Sequence, residues 1–299
     1  MTTRGLLNLL LLLGVAALAA VAIYQPGIAP PPPPVKITAL TPQQINRIHI
    51  ERAGKVAITL KKQDGHWRIT EPQQLPADDA RVNSLLRLVQ ETSQARFPAK
   101  PEDLHKYKLD KPAARLTLND QVFAFGDIDP INGRRYVQLG NTVHLITDMY
   151  FYQLDADMPS FVSTHLLPDQ ASISALTLPD IALTHDAQGH WQVQPDKPGV
   201  SADAIQTLVD AWHNTTALWV KKYAKGSAQG SITVQLKEPA QNLHFDIMAR
   251  QPELILARPD LGLQYHLSAE SAKALLELAA PVPTAPTAKD ATPLKIPPP

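Results

Sequence analysis

The chain has no cysteine among its 299 residues. Disulfide bonds, thiolate metal sites, a cysteine nucleophile and a lipidated N-terminal cysteine are therefore excluded. An excess of charge is also missing, because 28 basic side chains balance 28 acidic ones. A surface that binds the phosphates of a nucleic acid carries a basic excess. The composition therefore predicts no nucleic-acid partner.

Motifs for catalysis or metal binding are missing too. Neither a His-Glu-x-x-His sequence nor a phosphate-binding glycine loop occurs in the chain. Residues 127–133 resemble a calcium loop, but Ile131 occupies a ligand position and Gln138 replaces the closing acid. The glycine-rich stretch 226–230 does not have the strand-to-helix setting of a nucleophile elbow. We predict no catalytic residue, no metal site and no cofactor.

An uncharged apolar segment, residues 5–24, opens the chain, and a run of five prolines follows at 30–34. A helix of this length spans roughly 30 Å, the thickness of the hydrocarbon core of a bilayer. Proline cannot continue a helix and favours a stiff polyproline II spacer. We predict a transmembrane anchor over residues 1–25 and a stalk over 26–36. A cleaved signal peptide, with its site near Ala20-Val21-Ala22, is the alternative.

The other end, residues 280–299, mixes proline, alanine, threonine and lysine with few large apolar residues. Such a composition is typical of a disordered tail. A docking peptide is the alternative, and Leu294 and Ile296, beside the final prolines, would be its anchor.

The body of the chain repeats itself. Gly65-His66-Trp67 recurs as Gly189-His190-Trp191. Each copy precedes a stripe of apolar residues at the i, i+3, i+4, i+7 spacing of an amphipathic helix. The stripes are Val82, Leu85, Leu86 and Val89 in the first half, and Ile205, Leu208, Val209 and Trp212 in the second.

Short alternating runs with turn residues between them follow each helix and predict hairpins of antiparallel strands. One helix per half would cover one face of its sheet. We predict an α+β fold with two tandem repeats, residues 37–160 and 161–279. Each repeat is a mostly antiparallel sheet with one main covering helix.

The halves differ at residues 98–112, a charged insertion expected on the surface. Together with a turn that carries two arginines, it supplies our candidate contacts for a partner. These are Arg134, Arg135, Lys106 and Lys108.

The chain resembles a bacterial family known as domain of unknown function 4340. The resemblance lies in Leu-Thr-Pro-Gln-Gln-Ile (40–45), Asp-Gly-His-Trp (64–67), Tyr-Lys-Leu-Asp-Lys-Pro (107–112), Phe-Gly (125–126) and Arg-Tyr-Val (135–137). Lys108 stands where the family usually has glycine. The resemblance implies a single-pass envelope protein, often encoded near exporters of the ABC type, with no established catalytic residue.

We therefore expect a non-enzymatic accessory or scaffold protein in the bacterial inner membrane, with its body in the periplasm. Its partner would be a protein of the cell envelope, with ABC exporter components as one class. A periplasmic ligand-binding module that holds a lipid, a glycan or a peptide at the seam between the repeats is the alternative. An uncharacterised hydrolase is the third reading, and clustering of His185, His190 and His213 with acids would support it.

Overall fold

The computed structural model of the chain describes residues 3–24 and 35–278. The predicted tail and most of the predicted stalk lie outside these residues. Five α-helices occur in the described part: α1 (Thr3–Tyr24), α2 (Asp79–Leu86), α3 (Met149–Leu154), α4 (Ala202–Asn214) and α5 (Ala269–Leu276). Four 3-10 helices accompany them: Pro42–Gln44, Arg87–Gln90, Pro101–Tyr107 and Met158–Phe161.

The segment predicted as an anchor is helical, since α1 covers it. None of the helices in the described ranges is long and apolar enough to cross a membrane. The transmembrane helix that the sequence predicts is therefore not found there.

The first half contains a nine-stranded sheet in the order β5-β4-β3-β2-β8-β9-β10-β11-β7, and a separate pair, β1 and β6. Neighbouring strands are antiparallel throughout. The strands are β1 (Val35–Lys36), β2 (Arg47–Arg52), β3 (Ile58–Gln63), β4 (His66–Glu71), β5 (Leu75–Pro76), β6 (Thr92–Ser93), β7 (Ala95–Pro98), β8 (Ala114–Leu118), β9 (Gln121–Ile128), β10 (Arg135–Leu139) and β11 (Thr142–Ile146).

The second half contains an eight-stranded antiparallel sheet in the order β14-β13-β12-β16-β17-β18-β19-β15. Its order is that of the first sheet without β5, strand for strand. The strands are β12 (Ser172–Thr177), β13 (Ala182–His185), β14 (Trp191–Gln194), β15 (Trp219–Lys222), β16 (Gly230–Glu238), β17 (Gln241–Ala249), β18 (Leu254–Arg258) and β19 (Leu263–Leu267). The α+β class with antiparallel sheets is thus confirmed.

Helices α2 and α4 cover their sheets with the predicted stripes. All eight stripe residues are buried in one continuous apolar core that runs through both halves. Asp78 caps α2 by accepting from Arg81 N, and Ser201 caps α4 by accepting from Ala204 N. These bonds satisfy amide groups that a helix start leaves without a partner. Residues 87–90, predicted as α-helix, tighten into a 3-10 turn.

The outer face of the first sheet is more buried than the alternation of apolar and polar residues along its strands predicts. The 3-10 helix Pro101–Tyr107 folds over it, and Leu109 is buried against Ala124 and Val143. Strand β9 is consequently buried on both faces over 123–126. Val56, which alternates with Ile58 and Leu60 in the sequence, is exposed and precedes β3.

An extended linker joins the two sheets edge to edge. On one side the amide of Asp78 donates to Phe161 O at 2.9 Å, and that of Ser163 donates to Pro76 O at 2.9 Å. On the other side Ala217 N donates to Thr164 O at 2.8 Å. Since each half binds the same few linker residues, the seam between the halves has a defined geometry.

Candidate functional site

Two clefts open at the seam, and both are lined by Asp78, Val162 and Thr164. The larger cleft has a volume of about 860 Å³ and the smaller one about 410 Å³. Each takes residues from both halves of the chain. Binding sites favour such junctions, because two elements there supply separate walls.

The larger cleft has a mixed polar and apolar wall. Its charged and titratable side chains are His66, Arg68, Asp78, Asp79, His165, Asp169 and Arg258. Leu75, Leu243 and Tyr265 provide part of its apolar surface. It is neither a sealed apolar pocket nor a flat polar seam.

One histidine–carboxylate pair lies in this larger cleft. His66 Nδ1 is 2.9 Å from Asp79 Oδ2, and the other oxygen of Asp79 accepts from Trp67 N at 2.8 Å. The pair orients an imidazole, as a general base requires. Within the described residues, however, no hydroxyl donates to His66, so a nucleophile has not been assembled.

The histidines of the second half do not form a cluster. His185 packs on Trp191 with ring centroids 3.8 Å apart, and His190 Nδ1 lies 3.5 Å from Asp186. Across residues 3–24 and 35–278, no three histidine or acidic side chains come together as metal ligands do.

Three large exposed apolar side chains line the smaller cleft, beside polar residues such as Asp155 and Ser160. Tyr152 is 80% exposed, Leu218 57% and Trp219 43%, and all three line this cleft. We call these three residues the seam patch. Met149, also exposed, lies three residues before Tyr152 and extends the apolar face of α3. A single exposed apolar residue is ordinary, but three that line one cleft are a candidate interaction surface.

A buried polar network supports Trp219 from below. Its indole stacks on the His266 imidazole, and His266 Nδ1 lies 2.9 Å from Glu253 Oε1. Gln264 Oε1 accepts from Ala224 N, so the amide nitrogen of Gln264 faces His266 Nε2 at 2.8 Å. Since Gln264 donates there, the network assigns the imidazole proton to Nδ1. Trp219 thus stacks on the His266 imidazole, whose two nitrogens both make hydrogen bonds.

Arg81 forms another wall of the smaller cleft. Its guanidinium carbon lies 5.9 Å from the centre of the Phe161 ring. In the described part of the chain, its Nε has no hydrogen-bond partner and its guanidinium forms no ion pair. A half-buried cationic group therefore lies beside the seam patch.

Arg135 is not a surface contact, which corrects one of the four candidates. Its side chain is 6% exposed, and the guanidinium binds Asp148 and Gly126 O and lies 3.8 Å from the centre of the Phe151 ring. Burial of a charge requires such partners. Arg135 is therefore committed to holding β9, β10 and α3 together.

The other three candidates are more exposed than Arg135. Lys106 pairs with Asp103 at 2.6 Å, Lys108 pairs with Asp127 at 2.7 Å, and Arg134 is half-buried. These lysine pairs lie at the surface, where ion pairs contribute little.

The conformation of Lys108 explains why a glycine suits this position. Lys108 ends the 3-10 helix with φ of 52° and ψ of 35°, in the left-handed region. A side chain is disfavoured there, whereas glycine has no such penalty.

The segment that resembles a calcium loop is a closed polar turn. Asp129 is buried, and it accepts from the Asn132 side chain and from the backbone amides of Ile131 and Asn132. Burial acts to raise the pKa of Asp129, but these hydrogen bonds outweigh it and lower the pKa. The carboxylate oxygens are thus used within the turn.

The seam patch was not predicted from the sequence, although a signal for it exists. Helix α3 buries Tyr150 and Leu154, yet Met149 and Tyr152 give it a second apolar face. In β15 the buried Val220 alternates with Trp219. Apolar residues at positions that the periodicity of the buried residues does not predict are the sequence signal for such a surface.

The architecture defined above is a two-sheet α+β body with clefts at its seam. Residues 67–239 match the family described as "Domain of unknown function (DUF4340)". The match covers more than half of the chain and crosses the seam, and the chain belongs to this family. No curated protein and no solved structure matches the chain.

Proposed function

We propose that this protein is a non-enzymatic accessory or scaffold protein that binds a membrane-associated protein partner through the seam patch. The observation that carries the proposal is the convergence of Tyr152, Leu218 and Trp219 on one cleft between the halves. Interfaces are enriched in aromatic residues and arginine at their centres, and Arg81 lies in the same cleft.

A location at the bacterial inner membrane is part of this proposal and rests on the sequence. Residues 5–24 carry no charge, Arg4 precedes them, and no further basic residue follows until Lys36. This distribution favours an N-terminus on the cytoplasmic side and a body in the periplasm. The family resemblance adds components of ABC-type exporters as one class of partner.

We also propose that the two halves are tandem repeats of one α+β unit. The shared strand order, the recurring Gly-His-Trp sequence and the matched stripes of α2 and α4 support this. A seam between two like units creates a surface that a single unit does not have. Because the seam patch combines residues of both, partner binding would require the intact pair.

Binding of a small ligand in the larger cleft is the second candidate. Its volume of about 860 Å³ is that of small-molecule sites, which run from about 300 to 1,000 Å³. The charged residues of its wall would select a polar ligand. Substitutions in the seam patch would leave such binding unchanged, which separates the two candidates.

The test is purification of the full-length protein from crosslinked membranes, with identification of the proteins that accompany it. The Leu218→Ser and Trp219→Ser double variant should lose the partner, while Ile131→Ser, at an exposed loop residue, should keep it. Deletion of residues 5–24 tests the anchor separately. Equal recovery of the partner by both variants would refute a role for the seam patch.

A further inference from the structure

The seam patch offers hydrogen-bond donors as well as apolar surface. Within the described residues, neither the Tyr152 hydroxyl nor the Trp219 indole NH makes a hydrogen bond, and both rings are exposed. Arg81 adds a guanidinium without an ion pair in that part of the chain. The surface therefore combines two partly exposed aromatic side chains with N–H and O–H donors, and Lys221 Nζ lies 5.4 Å from the centre of the Trp219 ring.

A surface with these groups is suited to bind an extended proline-rich segment. Polyproline II chains make no internal hydrogen bonds, so their carbonyl oxygens remain free to accept. Grooves lined by aromatic side chains bind them, because proline rings pack on aromatic faces and little conformational entropy is lost. A helical partner would not present free carbonyls in this way, because its carbonyls are bonded within the helix.

The sequence of the chain itself contains a proline-rich segment. Residues 281–299 include seven prolines, and Leu294 and Ile296 stand between Pro293 and the run at 297–299. These two side chains are the only large aliphatic ones after Val282. They supply apolar anchors for the cleft, while the flanking prolines favour the extended backbone.

The segment begins close enough to reach the patch. His266, which contacts Trp219, is twelve residues before Leu278, and eight of the residues between them form α5. At about 1.5 Å per helical residue and about 3.4 Å per extended one, Leu278 lies within roughly 35 Å of Trp219. The fifteen residues from there to Pro293 span about 46 Å in polyproline II. The tether is therefore long enough.

We propose that the proline-rich segment 281–299 docks in cis on the seam patch, with Leu294 and Ile296 in the smaller cleft. Docked there, it covers the surface proposed above for the protein partner and competes with that partner. The inference rests on the proposed function for its regulatory meaning only. Docking itself is measurable on the purified protein without any partner.

Disulfide trapping in the full-length chain tests the docking directly, since the chain has no cysteine to interfere. Leu218→Cys is combined with Ile296→Cys, and the control pair combines Ile131→Cys with Ile296→Cys. Ile131 is 86% exposed in the loop between β9 and β10. We expect the first pair to form an intramolecular disulfide at least tenfold faster than the control pair.

Three results would overturn the proposal: equal rates for the two pairs, no disulfide in the first pair, or a disulfide that links two chains. The last result would assign the patch to a second copy of the protein. If docking fails while the Leu218→Ser and Trp219→Ser variant still loses its partner, the proposed function stands alone.

Quenching of tryptophan fluorescence by iodide gives a second measurement, without substitutions at the cleft. Trp67 and Trp212 are buried, and a Trp191→Phe background removes the remaining half-buried indole, so Trp219 gives the accessible signal. We expect Leu294→Ser with Ile296→Ser to raise the quenching constant about twofold. An unchanged quenching constant would contradict docking.

Discussion

Trp219 lies on the imidazole of the buried His266, with ring centroids 5.6 Å apart and planes inclined by 28°. The exposed indole is thus fixed by a residue of the neighbouring strand, whose own orientation is set by Glu253 and Gln264. An aromatic side chain that is held before binding loses less entropy when a partner arrives.

This network makes a prediction for two variants. His266→Phe keeps a ring beneath Trp219 but leaves the amide nitrogen of Gln264 without its acceptor. We expect the free energy of unfolding to fall by about 1–3 kcal/mol. Glu253→Gln retains an oxygen that accepts from Nδ1, so it should cost less than about 1 kcal/mol. Urea unfolding measures both, and equal losses would contradict the larger contribution assigned to the imidazole of His266.

Arg134 and Arg135 are adjacent in the sequence but should respond very differently to substitution. Arg135→Ala removes the bonds to Asp148 and to Gly126 O and the contact with Phe151. Hydrogen bonds that involve a charged group contribute about 1.5–3 kcal/mol, so we expect a loss of about 3 kcal/mol. Arg134→Ala should change the stability by less than about 0.5 kcal/mol. Thermal unfolding of the two variants checks this contrast.

Tyr150 should make the stability sensitive to alkaline pH. Burial, together with a hydrogen bond to Glu91 at 2.9 Å, raises the pKa of Tyr150 to about 12. A raised pKa in the folded state stabilises the protein fully below the unfolded value near 10, and this contribution is lost as the pH rises towards 12.

We therefore expect Tyr150→Phe to be about 1 kcal/mol less stable than the wild type at pH 8. The difference should shrink as the pH rises from 10 to 12, because phenylalanine cannot ionise. Tyr152→Phe, at an exposed position of the same helix, is the control and should match the wild type at every pH. The midpoints of urea unfolding of the three proteins, measured from pH 8 to pH 12, test this prediction.

Lys108→Gly should stabilise the protein, although it removes a surface ion pair. Relief of the left-handed conformation is worth about 1–2 kcal/mol, and the greater freedom of glycine in the unfolded chain offsets part of it. We expect a net gain of about 0.5 kcal/mol. Lys108→Ala loses the contact with Asp127 and keeps the strain, so it should show no gain.

Gly126 is required for a different reason. A Cβ at this position would clash with Tyr107 O and would lie 2.9 Å from a methyl group of Leu109. Gly126→Ala should therefore push the insertion off the sheet and cost at least about 1–3 kcal/mol. Faster proteolysis within residues 98–112 would report the displacement, and an undisturbed insertion would contradict the close contact.

The local elements followed from the sequence because their signals are local. The stripe of Ile205, Leu208, Val209 and Trp212 gives α4, and the turn at Asn119, with φ of 51°, joins β8 to β9. Hairpin links fix antiparallel neighbours without further information. These local patterns are sufficient to predict the α+β class.

Contacts between distant residues could not be predicted in this way. Ala124 looks like an outward position until Leu109 covers it, and Arg135 looks exposed until Asp148 lies beside it. The seam patch depends on how α3 and β15, from different halves, meet at the linker. The periodicity of residues within α3 or within β15 carries no information on how these two elements are placed relative to each other.

The most direct test of the central claim places a photo-crosslinking amino acid at position 218 of the full-length protein in living cells. A second protein carries it at position 131, which is exposed but distant in sequence from the seam patch. We predict that position 218, and not position 131, crosslinks reproducibly to one membrane-associated protein. Crosslinking to the same protein from both positions, or to none from 218, would contradict partner binding at the seam patch.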